Sequence, residues 1–178
     1  MVLEGCNSYI VSANYIRQVN TPRLIYVLQA AWRNTVIFAH NFLIVIIVMA
    51  VFGVHSWVAL LLFVPGFALF MLNAVWIAAL SGVIAARFRD FPQIVAALLQ
   101  VAFYVTPILF SGDMLAGKHH WVVVYNPLAY LVDLVRAPLM GQIPDVLTWG
   151  VGAGMAVLGW ALALAFTGRF HRRIPYWV

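Results

Sequence analysis

Few residues in this 178-residue chain have the types and spacing that chemistry needs. Gly112-Asp113-Met114-Leu115-Ala116-Gly117-Lys118 begins like a phosphate-cradling loop, but His119 stands where Ser or Thr would hold magnesium. No strand-like apolar run leads into it, so the match is a chance one and the chain is not expected to hydrolyse nucleotide. His119-His120 is a pair without a third ligand nearby in the sequence, too few for a metal centre. Neither a GxSxG elbow nor an HExxH helix occurs. No enzyme activity, cofactor or metal is therefore predicted. The polar residues that remain fall into small groups set in apolar surroundings. Arg87-Phe88-Arg89-Asp90 is one; Asn126-Pro127, Tyr130, Asp133 and Arg136 form another.

The elements that carry these groups follow from composition. Hydrophobic residues make up 65% of the chain and charged ones 8%, and the mean hydropathy is +0.99. A soluble domain is nearer half apolar, so lipid is the solvent for much of this surface. A pI near 9.8 does not signal nucleic acid, because ten Lys and Arg form no continuous stripe. The single cysteine, Cys6, excludes an internal disulfide framework and a Cys-rich metal site. Residues 1–20 lack the basic-then-apolar pattern of a signal peptide, so insertion is expected to rely on the spans themselves.

Four apolar segments approach or exceed the roughly 20 residues that cross hydrocarbon. The first has its core at Val36–Gly53 and starts as early as Leu24. The second is Trp57–Ala86, with Pro65-Gly66 as a candidate kink; the third is Ile94–Phe110, interrupted by Pro107; the fourth is Val146–Thr167. Before them, Tyr9, Ile10, Ala13, Ile16 and Val19 recur at helical spacing and predict a short amphipathic helix ended by Pro22. Between the third and fourth segments, Asn126 is a good cap and Pro127 a good first residue for a helix that Pro138 should stop after about ten residues. That is too short to span, and a re-entrant or interfacial helix fits it better.

Charge sets the orientation. With four spans and a cytoplasmic N-terminus, Arg17, Arg23, Arg33, Arg87, Arg89, Arg169, Arg172 and Arg173 fall inside, and Lys118 and Arg136 outside. Eight against two is the asymmetry expected of a membrane protein with both termini inside. It would be lost if 121–140 were a fifth span.

Each polar group has a plain structural reading beside a functional one. Arg87, Arg89 and Asp90 either anchor the inner end of span two or form a rigid cytoplasmic elbow between spans two and three. Asp133 and Arg136 either make an i,i+3 pair on an interfacial helix or belong to an outer gate. Phe103, Tyr104, Phe110, Trp121, Tyr125 and Tyr130 are an interfacial aromatic belt or a surface for the C–H faces of sugar rings. Asn34, His40, Asn41 and Asn73 read as interhelical hydrogen-bonding groups or a polar lining, and the run Gly150-Val151-Gly152-Ala153-Gly154 contains a GxxxG spacing that permits close helix approach.

In order along the chain, three blocks resemble the permease subunit of ABC-2 type ABC transporters, in the polysaccharide-export branch (O-antigen or lipopolysaccharide, capsule, teichoic acid). They are Arg87–Asp90, Leu99–Ile108, and Asn126–Tyr130 with Arg136 and Leu139-Met140-Gly141. Trp32-Arg33-Asn34 with Phe38–Asn41 is similar to the O-antigen exporters in particular. The resemblance implies an all-α, multi-pass protein of the bacterial inner membrane, working as a homodimer with separate ABC ATPase subunits. It implies export of lipid-linked polysaccharide; a permease for a small amphiphile or drug, or an inert membrane fragment, is the alternative. By the same resemblance, residues 1–24 form a cytoplasmic coupling region in which Tyr15, Ile16, Arg17 and Gln18 meet the ATPase. Residues 25–178 form the membrane domain. The outer segment at about 112–140 supplies gate helices, with Phe103, Tyr104, Pro107, Tyr125, Asn126, Pro127, Tyr130, Asp133 and Arg136 along the outer gate and substrate path. Such permeases have about six spans and an amphipathic N-terminal helix, so two spans ahead of the coupling helix are expected to be absent here.

Overall fold

The computed structural model describes residues 1–19, 21–53, 56–106, 125–171 and 173–178. Among these, the chain is all helix: α1 (Val2–Val11), α2 (Ala13–Gln18), α3 (Leu24–Phe52), α4 (Trp57–Arg87), α5 (Phe91–Val105), α6 (Pro127–Leu139), α7 (Val146–Phe170) and α8 (Ile174–Trp177). Three of them, α3, α4 and α7, are long and apolar enough to cross a membrane; α5, with 15 residues, is a shorter apolar helix. The chain is thus an all-α polytopic membrane protein. The predicted continuation of the third span through Pro107 to Phe110 lies outside the described residues.

Local chemistry explains most boundaries. The Ser56 hydroxyl accepts from the Ala59 amide at 3.3 Å and opens α4. α3 closes at Gly53, whose φ of +82° suits glycine. α4 carries Pro65 in its interior without ending there, as membrane helices do when neighbours cover the freed backbone. One expectation needs correction at the N-terminus. Instead of one amphipathic helix over residues 9–19 there are two, parted at Ser12, and the first reaches back to Val2. Burial explains the difference, since Cys6 and Tyr9 are enclosed against α4 and hold the earlier residues in helix.

A second correction concerns α6. It runs through Pro138 to Leu139, 13 residues rather than about ten. Proline near the end of a helix removes one internal hydrogen bond, the one to the Leu134 carbonyl. Pro138 is fully buried, which offsets that loss. The helix then closes through the Gly141 amide to Pro138 O (3.1 Å) and the Gln142 amide to Ala137 O (2.9 Å), with Gly141 at φ +78°. At about 20 Å it is still too short to span.

α4 is the hub, and small residues let its neighbours approach. Ala74, Ala78, Ala79, Gly82, Ala85 and Ala86 are buried along it. Tyr9, Ile16, Val27, Ala31, Ala163, Ile174 and Val178 gather round it in one core cluster. The Tyr9 hydroxyl is buried there without a hydrogen-bond partner among the described residues, and burial pushes its pKa up to about 12. At the other end, a Cβ on Gly66 would collide with the Leu134 carbonyl of α6, the oxygen that Pro138 leaves without a helical donor. α3 meets α4 through stacked rings: Phe38 on Phe67 at 4.6 Å and Phe42 on Phe63 at 4.8 Å. Beyond Val27, Ala30 and Ala31 no residue of α3 is fully buried, and much of its length is exposed.

Candidate functional site

Among the described residues, the coupling, elbow and outer-gate candidates lie toward two opposite ends of α4. α6 touches α4 at Gly66, while α1 meets it at Ala78 and Gly82 and α8 reaches Arg87. From Gly66 to Arg87 the helix rises roughly 30 Å, which is the thickness of the hydrocarbon core.

At the Arg87 end stand the coupling and elbow residues. Tyr15 is 67% exposed, and Arg17 and Gln18 are exposed beside it. Ile16 is 2% exposed. It is the inward anchor of α2, and in this arrangement its side chain has no free face for a partner. The Arg17 guanidinium donates to the Val178 carbonyl. α4 and α5 are joined by residues 88–90 alone, with Phe88 extended (φ −117°, ψ 98°) and Asp90 as the cap residue of α5. The Phe88 amide still bonds to Ile84 O at 2.9 Å, and the Phe91 amide to Phe88 O at 3.0 Å. The elbow is therefore hydrogen-bonded through its turn. The Asp90 side chain makes no capping bond, but Pro92 sits in the first turn of α5. Arg87 lies 5.3 Å from the Trp177 ring and 5.6 Å from the Phe88 ring. Arg89 is exposed.

α1 adds an ion pair near this end. Arg33 of α3 pairs with Glu4 at 3.0 Å, and the Asn34 amide donates to the same carboxylate. The hydrogen bond from Arg33 is the largest influence holding the Glu4 carboxyl below the usual range.

The opposite end holds Phe103, Tyr104, Tyr125, Asn126, Pro127, Tyr130, Asp133 and Arg136. Pro107, with Phe110 and Trp121 of the aromatic group, lies outside the described residues. Asn126 works in two directions. Its carbonyl accepts from the Leu128 amide at 3.0 Å, and its amide donates to the buried Thr106 hydroxyl at 3.0 Å. This ties the start of α6 to the end of α5, with Pro127 as the first residue of α6. Phe103 and Tyr104 meet edge to face at 5.7 Å. Both are exposed, and Tyr125 is 81% exposed, so flat aromatic surface lies open at this end. Asp133 is drawn inward and accepts from the Thr148 hydroxyl of α7 at 3.4 Å. Burial raises its pKa, opposed by that bond and by the charge of Arg136. Tyr130 is half-buried.

Among the described residues no group of His, Cys, Asp and Glu could hold a metal ion. Asn73 takes the hydrogen-bonding role: it donates to Leu69 O (2.9 Å) and, across to α7, to Gly152 O (3.0 Å), and accepts from Trp76 Nε1 (3.0 Å). His40 and Asn41 are exposed on α3. The glycine approach is made by Gly152, the middle residue of that run, and by Gly159 beyond it. Gly152 and Gly159 press on Leu134, Leu69 and Trp76, whereas Gly150 and Gly154 meet open space. Sequence reasoning also passed over Thr106, Thr148 and Trp177. For Trp177 the signal was available, a terminal aromatic just after the basic run at 169–173.

Searches among known proteins find two curated relatives, each called O-antigen export system permease protein RfbA, from Klebsiella pneumoniae. One is 27% identical over 129 residues, covering 70% of this chain and 49% of the relative. The other is 27% identical over 137 residues, covering 76% and 53%. The chain resembles polysaccharide-export permeases. It spans about half the length of the curated relatives it matches. No family model matches it.

Proposed function

We propose that this chain serves as the permease subunit of an ATP-driven exporter that moves lipid-linked polysaccharide across the bacterial inner membrane. The observation that carries this reading is the similarity to two proteins named O-antigen export permeases, over more than two-thirds of the chain. The placement of α2 and the elbow at one end of α4, and of the aromatic-lined α5–α6 junction at the other, supports it. In this reading residues 1–24 are the cytoplasmic coupling region. Tyr15, Arg17 and Gln18 meet a separate ABC ATPase, anchored from behind by Ile16. Arg87, Arg89 and Asp90 form the elbow that carries the movement to α5. Phe103, Tyr104, Tyr125, Asn126, Tyr130, Asp133 and Arg136 line the outer gate, where aromatic faces pack on sugar rings without fixing them. Two permeases assemble with two ATPases, and both termini of the chain lie inside.

Deletion of the gene in its own host is the test. Undecorated glycolipid cores with polymer trapped on the inner leaflet, restored by the intact gene, are the expected result. Normal surface polymer after deletion would overturn the reading. Intact polymer with altered sensitivity to an amphiphilic toxin would point to a small-molecule exporter instead.

A further inference from the structure

α2 has six residues, too few to hold a helix alone in water, and Val19 beyond it is extended. Its position must come from packing, and the elements it mainly packs against are α1 and α8. On its inner side Ile16 shares a core with Ile174 and Val178, both of them buried. On its outer side Arg17 donates to the Val178 carbonyl. The other side of the same segment reaches the elbow. Trp177 has Arg87, the last residue of α4, 5.3 Å from its ring, and its ring lies 5.5 Å from that of Phe170 in α7.

We infer that the C-terminal segment 174–178 is a positioning strap, holding the docking helix α2 and joining it to the α4–α5 elbow. Ile174 and Trp177 are its positioning residues. The functional part of this inference rests on the reading of α2 as the ATPase-docking helix; the mechanical link itself does not. A force applied at the exposed Tyr15, Arg17 and Gln18 passes through Ile16 into α8, and from Trp177 to Arg87. The burial of Ile174 and Val178 at the two ends of this short segment makes it a stiffer route than the extended residue that follows α2.

The test is hydrogen exchange on the full-length permease, purified from its own membranes in mild detergent. The variants are Trp177→Ala, Trp177→Phe as the conservative rescue, and Arg87→Gln, which leaves the ring in place. Trp177→Ala is expected to speed exchange of the α2 amides and of residues 88–91 roughly tenfold. The middle of α7 should be unchanged and Trp177→Phe close to the parent. Arg87→Gln is expected to loosen the elbow and α2 together. Uniform acceleration across the molecule, or no change at α2, would overturn the strap, as would an Arg87→Gln effect confined to the elbow. Stimulated ATP hydrolysis and ATPase co-purification are measured alongside. Loss of stimulation with retained co-purification is expected for Trp177→Ala, and full stimulation in that variant counts against the strap. If no ATPase accompanies the parent protein, the docking role of α2 fails, while the exchange data still decide whether the strap exists.

Discussion

Asn73 shows how much one polar side chain does inside this bundle. It is wholly buried and satisfies Leu69 O, Gly152 O and Trp76 Nε1 at once. Asn73→Leu leaves all three groups without this partner in a fully buried site, so it should cost about 1 kcal/mol of stability. Unfolding titrations in mixed micelles measure that; an unchanged midpoint would mean that the bonds to α4 and α7 contribute nothing. Glu4 gives a pH-dependent case. Its carboxyl is held below the ordinary range by Arg33, so the folded state binds its proton less readily than the unfolded chain does. The stability this supplies is complete above the unfolded pKa and is lost as pH falls through the folded one. Glu4→Gln should therefore flatten the acid limb of thermal melts below about pH 4.5, where the parent begins to weaken. Arg17 tests the docking surface. Arg17→Glu should abolish ATPase co-purification by reversing charge, whereas Arg17→Ala, which loses the bond to Val178 and one docking contact without adding repulsion, should only weaken it. Co-purification unaffected by Arg17→Glu would count against α2 as the contact.

At the scale of elements, α6 is the most informative. Asn126 both caps it and fastens it to α5. Asn126→Ala should cost about 1 kcal/mol through the lost cap and raise hydrogen exchange in the first turn of α6, with α7 unaffected; Asn126→Asp, which keeps the cap oxygen, should recover most of the helix. The existence of this helix was legible in the sequence because Asn-Pro is a local signal, and so were the long apolar spans α3, α4 and α7. Its end was not, because proline's local cost was outweighed by burial of Pro138 and by the glycine turn at Gly141. The start of α1 was hidden for a similar reason. Val2–Val11 reads as mixed and polar, and only the apposed small residues of α4 make a helix of it. The candidate coupling and elbow residues were legible by type and order. Their link through α8 was not, since nothing in a four-residue aromatic segment announces the residues 161 positions away that it holds.

The whole molecule is polarised along α4, and its orientation can be tested directly. In a Cys6→Ser background, single cysteines at Tyr125 and Tyr176, both highly exposed, should label from opposite faces of sealed vesicles. Labelling of both from the same face would remove the proposed topology. Cys6 is itself buried, so the parent protein should label slowly with membrane-impermeant thiol reagents and give a clean background.

The core that joins Tyr9 and Ile16 to Ile174 and Val178 also constrains biosynthesis. Its two halves are separated by nearly the whole chain, with every spanning helix between them. At about 5–20 residues per second of translation, the first helices wait on the order of ten seconds for their partners. During that time Ile16 has no α8 to cover it. Closure of the core at the Arg87 end of α4 must thus wait until residue 174 has been made, and a chain stalled before that point presents an incomplete core to the quality-control machinery of the cell.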